Sequence, residues 1–139
     1  MTDPMYPQHY PGHYSVPTPP PAANPADERT WSTLTHVGML VVGIWVPLIC
    51  YLVLRERGPF IRSHAATALN FELTWLIGYI GCFIVAFGSL LTFALPVAIL
   101  AYVAIFGLLI TRLILGIIAA MAAYKGQWYR YPMTIQFVK

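Results

Sequence analysis

Charge is what this sequence has least of. Charged side chains make up 9% of its 139 residues, against roughly 25% in a soluble domain, while hydrophobic residues make up 58%. A chain of that balance cannot cover itself with polar surface, so lipid has to serve as its solvent. The net charge of +3 is too thinly spread for a nucleic-acid footprint. Cysteine is nearly missing too. Cys50 and Cys82 each lie inside an apolar run, which excludes a disulfide framework or a cysteine metal quartet and leaves both as small hydrophobes. Before Trp31 there is neither a basic start nor an apolar core of the kind a secretory signal needs.

Proline, by contrast, is crowded at one end, with eight of the twelve falling before residue 27. Proline fixes φ and removes a backbone donor, so residues 1–28 are expected to form a disordered tail rich in Pro, Tyr and His rather than a packed unit. His9 and His13 stand four apart, but Pro11 between them opposes the helix that would align the two imidazoles, and no metal site is expected there.

Residues 29–139 are expected to be a single all-α integral membrane domain, a bundle of three transmembrane helices. Trp31–Leu54 contains no charge in 24 residues, and about 20 apolar residues suffice to cross a bilayer. Pro47 would bend this span. Between Ala65 and Tyr124 the only charges are Glu72 and Arg112, and that stretch suits two helices broken between Gly88 and Pro96. The spans are therefore placed at about 31–54, 65–91 and 95–123. The first connection carries Arg55, Arg57 and Arg62, and the carboxyl tail carries Lys125, Arg130 and Lys139, whereas the second connection has no base. The positive-inside rule then puts the first loop and the C-terminus in the cytoplasm of a bacterial inner membrane, and three crossings would put the amino tail outside, a placement that a fourth, re-entrant or split segment would reverse.

The informative polar residues cluster in Arg55–Thr74. Ser63 is expected to cap the second helix, and His64 to stand at its cytoplasmic mouth. Thr67, Asn70, Thr74, Gly78 and Gly81 recur at three- and four-residue steps, a face expected to join helix to helix in lipid by close approach and hydrogen bonding. Glu72 points elsewhere, about 200° around the helix from Asn70. A lone carboxylate at that depth costs on the order of 2.5–3.5 kcal/mol, so a partner is expected. Arg112, aligned with Gly116, Ala119 and Ala123 on the third span, lies within about 6 Å of Glu72 in depth by helical rise. A Glu72–Arg112 pair is expected; otherwise Glu72 meets solvent, a lipid headgroup or a second copy of the chain. His36 is expected near the outer end of the first span, as an interfacial or a hydrogen-bonded imidazole. No nucleophile with a base, no paired carboxylates and no metal set stand out, so neither a catalytic site, a cofactor nor a metal is expected and the protein reads as non-enzymatic. The aromatic and basic segment Gln127–Pro132 suits lipid headgroups, with Met133–Val138 extended along the interface.

Two blocks, Arg57–Thr74 (RGPFIRSHAATALNFELT) and Gly126–Lys139 (GQWYRYPMTIQFVK), resemble a family of small bacterial membrane proteins grouped with the Tic-twenty-like chloroplast import components. The resemblance covers about residues 31–139. That family typically has glutamine where this chain has Glu72, and a base at Arg112 departs from it too. The resemblance implies a subunit or scaffold of a membrane assembly, with a transport or channel component related to protein translocation as the alternative. Expected partners are the lipid bilayer and a second copy or another membrane protein, with no nucleic acid.

Overall fold

The structure, a computed structural model, describes residues 21–139, and the expectations for residues 1–20, including the His9/His13 spacing, lie outside it. Four helices and no strand occur among the described residues: α1 (Pro25–Val42), α2 (Trp45–Leu54), α3 (Pro59–Leu91) and α4 (Leu95–Tyr124). Only α3 and α4 are long and apolar enough to cross a membrane.

The expected first span is not one helix. The 31–54 run breaks at Gly43, whose φ of +77° is open to glycine at little cost and whose N–H donates to Met39 O at 2.9 Å. Four residues later stands Pro47. In a continuous helix its ring would meet the carbonyl of residue 43, whereas in the first turn of a new helix its missing N–H costs nothing. Gly43 and Pro47 together therefore end one helix and start another. The two halves fold back on each other, with Gly38 of α1 packed on Val46 of α2. At ten residues α2 is about 15 Å long, half the hydrocarbon thickness.

This hairpin reverses the expected exit of the amino tail. Ala23 N–H donates to Arg57 O at 2.8 Å, so the chain enters α1 at the same end as the first loop. Glu28 from the first turn of α1 caps α3, its Oε2 accepting from the N–H of Phe60 at 2.9 Å and of Ile61 at 3.3 Å. The N-cap position of α3 is Gly58, with Pro59 opening the helix, and Ser63 lies inside it rather than at its start. The helix begins at Pro25, inside the segment expected to be disordered, with Asn24 Oδ1 accepting from Asp27 N–H at 2.8 Å.

Helices α3 and α4 form a long antiparallel hairpin closed by Thr92–Ala94. Its 33-residue first arm is about 50 Å long. The α1–α2 hairpin covers only the lower part of it, up to the level of Tyr79. Beyond that, among the described residues, α3 and α4 run side by side with apolar outer surfaces: Ile80, Phe83, Ile84 and Phe87 on one arm, Ile99, Leu100 and Val103 on the other, are more than half exposed. The core sits low, where Met39, Ala68, Phe71, Trp75, Ala119 and Tyr131 meet, with a second cluster of Cys50, Leu54, Ile61 and Ala65 between α2 and α3.

Candidate functional site

Three polar assemblies lie in or against the lower core, and each is closed by groups from distant parts of the chain. The first is the ion pair. Arg112 Nε and Nη2 each lie 2.9 Å from Glu72 Oε1, with side chains only 15% and 9% exposed. Arg112 Nη2 also donates to the carbonyl of Met39. That carbonyl lies in the last turn of α1, where it also accepts from Gly43 N–H, and a cation at a helix C-terminus is favourable by the macrodipole. The pair therefore joins α3 and α4 and fastens both to the point where α1 ends. Gly116 and Ala119 line the face of α4 that meets α1, with Gly116 directly under Leu40 and Met39.

The second assembly is a chain of rings. His36 and His64, both fully buried, are joined Nε2 to Nδ1 at 2.9 Å. His36 Nδ1 meets the Tyr131 hydroxyl at 3.0 Å, and His64 Nε2 meets Gln127 O at 3.2 Å. The carbonyl of Gln127 can only accept, which fixes the direction of the rest. His64 donates from Nε2 and accepts at Nδ1, His36 donates from Nε2 and accepts at Nδ1, and the Tyr131 O–H donates into the chain. With both imidazoles neutral, a state favoured by the burial that lowers the pKa of His36 to about 3, every ring nitrogen is used. Burial raises the phenol pKa of Tyr131 well above the usual tyrosine range, with the neighbouring Tyr129 adding to it, so the donor at the head of the chain stays protonated. His64 is thus a core residue and not a cap at the helix mouth, and His36 is not interfacial.

The third assembly docks the carboxyl segment. After α4, Gly126 at φ +72° turns the chain back, and residues 127–139 return along α3. Tyr131 stacks on Phe71, ring centres 4.0 Å apart, and Phe71 stacks in turn on Trp75 at 4.3 Å. Asn70 Oδ1 accepts from Phe137 N–H at 2.9 Å and Val138 N–H at 2.8 Å, while its Nδ2 donates to Val138 O at 2.8 Å. Thr74 Oγ1 accepts from Ile135 N–H at 3.1 Å and donates to Asn70 O. Asn70 and Thr74 do not join helices as the spacing suggested. Their partner is extended backbone, whose unpaired N–H and C=O groups need side-chain amides and hydroxyls. The tail itself is seated in the domain rather than lying loose along the interface.

Sequence reasoning brings Glu72 and Arg112 together and singles out His64, Asn70 and Thr74, but it misses Glu28, His36 and Tyr131. The reach of Glu28 to α3 follows only from the hairpin. His36 and Tyr131 are 95 residues apart, and the one signal that could have joined them is that the tail holds Tyr131 within a run too polar to stay in hydrocarbon unaided.

A profile of the magnetosome magnetite crystal formation protein family, MamF/MmsF, matches residues 27–138, which is most of the chain. The chain belongs to that family. The match replaces the Tic-twenty-like import family that the Arg57–Thr74 and Gly126–Lys139 blocks resemble. The first block and all of the second but Lys139 fall within the matched region, so the motifs belong to the MamF/MmsF domain, and the link to polypeptide translocation, which rested on the resemblance, falls with it. No curated protein and no solved structure matches the chain.

Proposed function

We propose that this MamF/MmsF protein is a non-enzymatic, multi-pass scaffold of the magnetosome membrane that acts in magnetite crystal formation through the assembly it joins. Family membership over residues 27–138 carries the reading. The geometry supports a scaffold because most polar core groups are spent on protein partners, with Ser32 Oγ and the Tyr79 hydroxyl the exceptions among the described residues. Glu72 is held by Arg112, His36 and His64 are bonded ring to ring, and Asn70 and Thr74 grip the tail.

In this reading α3 and α4 cross the bilayer and α1–α2 enters and leaves from one side. Apart from Glu72 and Arg112, every charged residue among those described lies at the end where α1 and α3 begin and α4 finishes. These are seven bases (Arg29, Arg55, Arg57, Arg62, Lys125, Arg130, Lys139) against three acids (Asp27, Glu28, Glu56). That end faces the cytoplasm by the positive-inside rule. The opposite connection, Thr92–Phe93–Ala94, carries no charge, so mineral chemistry reaches this protein through its partners in the membrane rather than through that turn.

The test is deletion and complementation in a magnetosome-forming bacterium, with crystal size and number measured by electron microscopy and a tagged copy located by fractionation. The expected result is a tagged protein in the magnetosome membrane and crystals altered on deletion and restored by the wild-type chain. Unaltered crystals, or a protein absent from that membrane, would refute the proposal.

A further inference from the structure

We propose that the groove between the first turns of α3 and the returning carboxyl segment binds the phosphate of an anionic phospholipid headgroup. The groove holds about 520 Å³. Arg62, Arg130 and Lys139 line it together with the hydroxyls of Ser63 and Thr67, and no acidic side chain faces it. Three cationic side chains with no acidic side chain among them favour an anion, and guanidinium groups suit phosphate by forked N–H pairs.

The walls are built, not incidental. One is helix. The other is tail backbone fixed by Asn70 and, at its root, by the His64 contact to Gln127 O. Trp128 closes one end, its ring set edge-on against Phe60 at 5.1 Å. Arg62 spends one N–H on a long 3.4 Å contact to the main-chain oxygen of Lys139, which steadies the guanidinium and leaves its other donors free.

Position favours a lipid over a free anion. The groove lies at the charged end, where the exposed indole of Trp128 sits at the level preferred by interfacial aromatics. The stripe of α3 that begins at Ser63 and Asn70 continues at seven-residue steps to Ile77 and Ile84, both more than half exposed. Acyl chains of a seated lipid therefore have an apolar track that leads away from the phosphate.

The experiment is native mass spectrometry of the full chain in detergent, offered equimolar phosphatidylglycerol and phosphatidylcholine. One phosphatidylglycerol is expected to be retained in preference. Each basic residue near an anionic headgroup is worth about fivefold in affinity, so Arg62→Gln, Arg130→Gln and Lys139→Gln combined should weaken retention roughly a hundredfold. Arg55→Gln with Arg57→Gln, at the same end but outside the groove, should leave it unchanged. Equal loss from both sets would overturn the site in favour of diffuse attraction. Thermal stabilisation by millimolar inorganic phosphate equal to that by phosphatidylglycerol would overturn the lipid assignment. A photoreactive phosphatidylglycerol added to the wild-type chain keeps the test valid should the triple variant not fold. Labelling within 62–67 and 128–130 is expected, and labelling spread evenly over the apolar helices would overturn the proposal.

Discussion

Removing Arg112 is predicted to cost more than removing Arg112 and Glu72 together. Arg112 makes two contacts to Glu72 Oε1 and one to the Met39 carbonyl. In Arg112→Leu the carboxylate of Glu72, 9% exposed, loses its only ionic partner, and breaking a buried pair from one side costs about 3–5 kcal/mol. Glu72→Gln keeps an oxygen acceptor and leaves Arg112 its bond to Met39. The loss there is one charge-assisted interaction, about 1.5–3 kcal/mol. With both changes no uncompensated charge is left, and the double variant should fall about 1–3 kcal/mol below wild type. Independent losses would instead sum to roughly 5–8 kcal/mol.

Unfolding equilibria in dodecyl maltoside with increasing sodium dodecyl sulfate, followed by helical circular dichroism, measure all four chains. The signature is a double variant at least as stable as Arg112→Leu. A double variant less stable than both single variants, by the sum of their losses, would refute the reasoning. A second readout separates the two contacts of Arg112. Gly43 N–H shares the Met39 carbonyl with it, so Arg112→Leu should alter hydrogen exchange at Gly43 while Glu72→Gln leaves it near wild type.

Asn70→Ala removes three hydrogen bonds to the tail at about 1 kcal/mol each, so roughly 3 kcal/mol of docking free energy is lost. Amide exchange at Phe137 and Val138 should accelerate while the helical amides of α4 do not change, and unaltered exchange in the tail would contradict the clamp. Tyr131 gives a pH dependence whose sign follows from burial. Its folded-state pKa is raised, so its contribution is fully present below the unfolded value of about 10 and is lost as pH climbs beyond it. The difference in phenolate absorbance between wild type and Tyr131→Phe, both carrying Tyr129→Phe, should titrate above pH 10, and a midpoint at the free-tyrosine value would show the ring exposed.

What could be read in the sequence was what depends on local pattern. The expected third span, 95–123, differs from α4 by one residue because Pro96 sits in its first turn and the apolar run stops at Lys125. The facing of Glu72 away from Asn70 follows from helical angle alone, and the structure sends them to different partners, α4 and the tail. The first apolar run was misleading because hydropathy counts residues and ignores φ. Its 24 uncharged residues are long enough to span, but Gly43 and Pro47 at four-residue spacing convert the same composition into a hairpin. The tail was misread for a different reason. Its alternating residues resemble an interfacial strand, and only the side chains of α3 that satisfy its backbone show that it is bound.

The buried charges make sense once the hairpin is known. The Met39 carbonyl accepts from Gly43 N–H as it would in a continuous helix, and the Arg112 guanidinium adds a second, charged donor at the point where the helix breaks. Because α1 stops at Val42, the carbonyls of its last turn end beside Gly116 of α4 and within reach of Arg112, where the helix macrodipole favours a cation. An apolar pair of the same volume in place of Glu72 and Arg112 would remove the desolvation cost of two ions, yet it would take from the broken end the charge-assisted bond to Met39 O, worth about 1.5–3 kcal/mol. Arg112 supplies the donor, and Glu72, fixed one strand of packing away on α3, neutralises the charge that comes with it. On this argument the acid is secondary to the base, and the base is secondary to the break. A chain in which Gly43 and Pro47 are both replaced by leucine, so that the first run is free to become one helix, should therefore tolerate Arg112→Leu with a smaller loss than the wild type does.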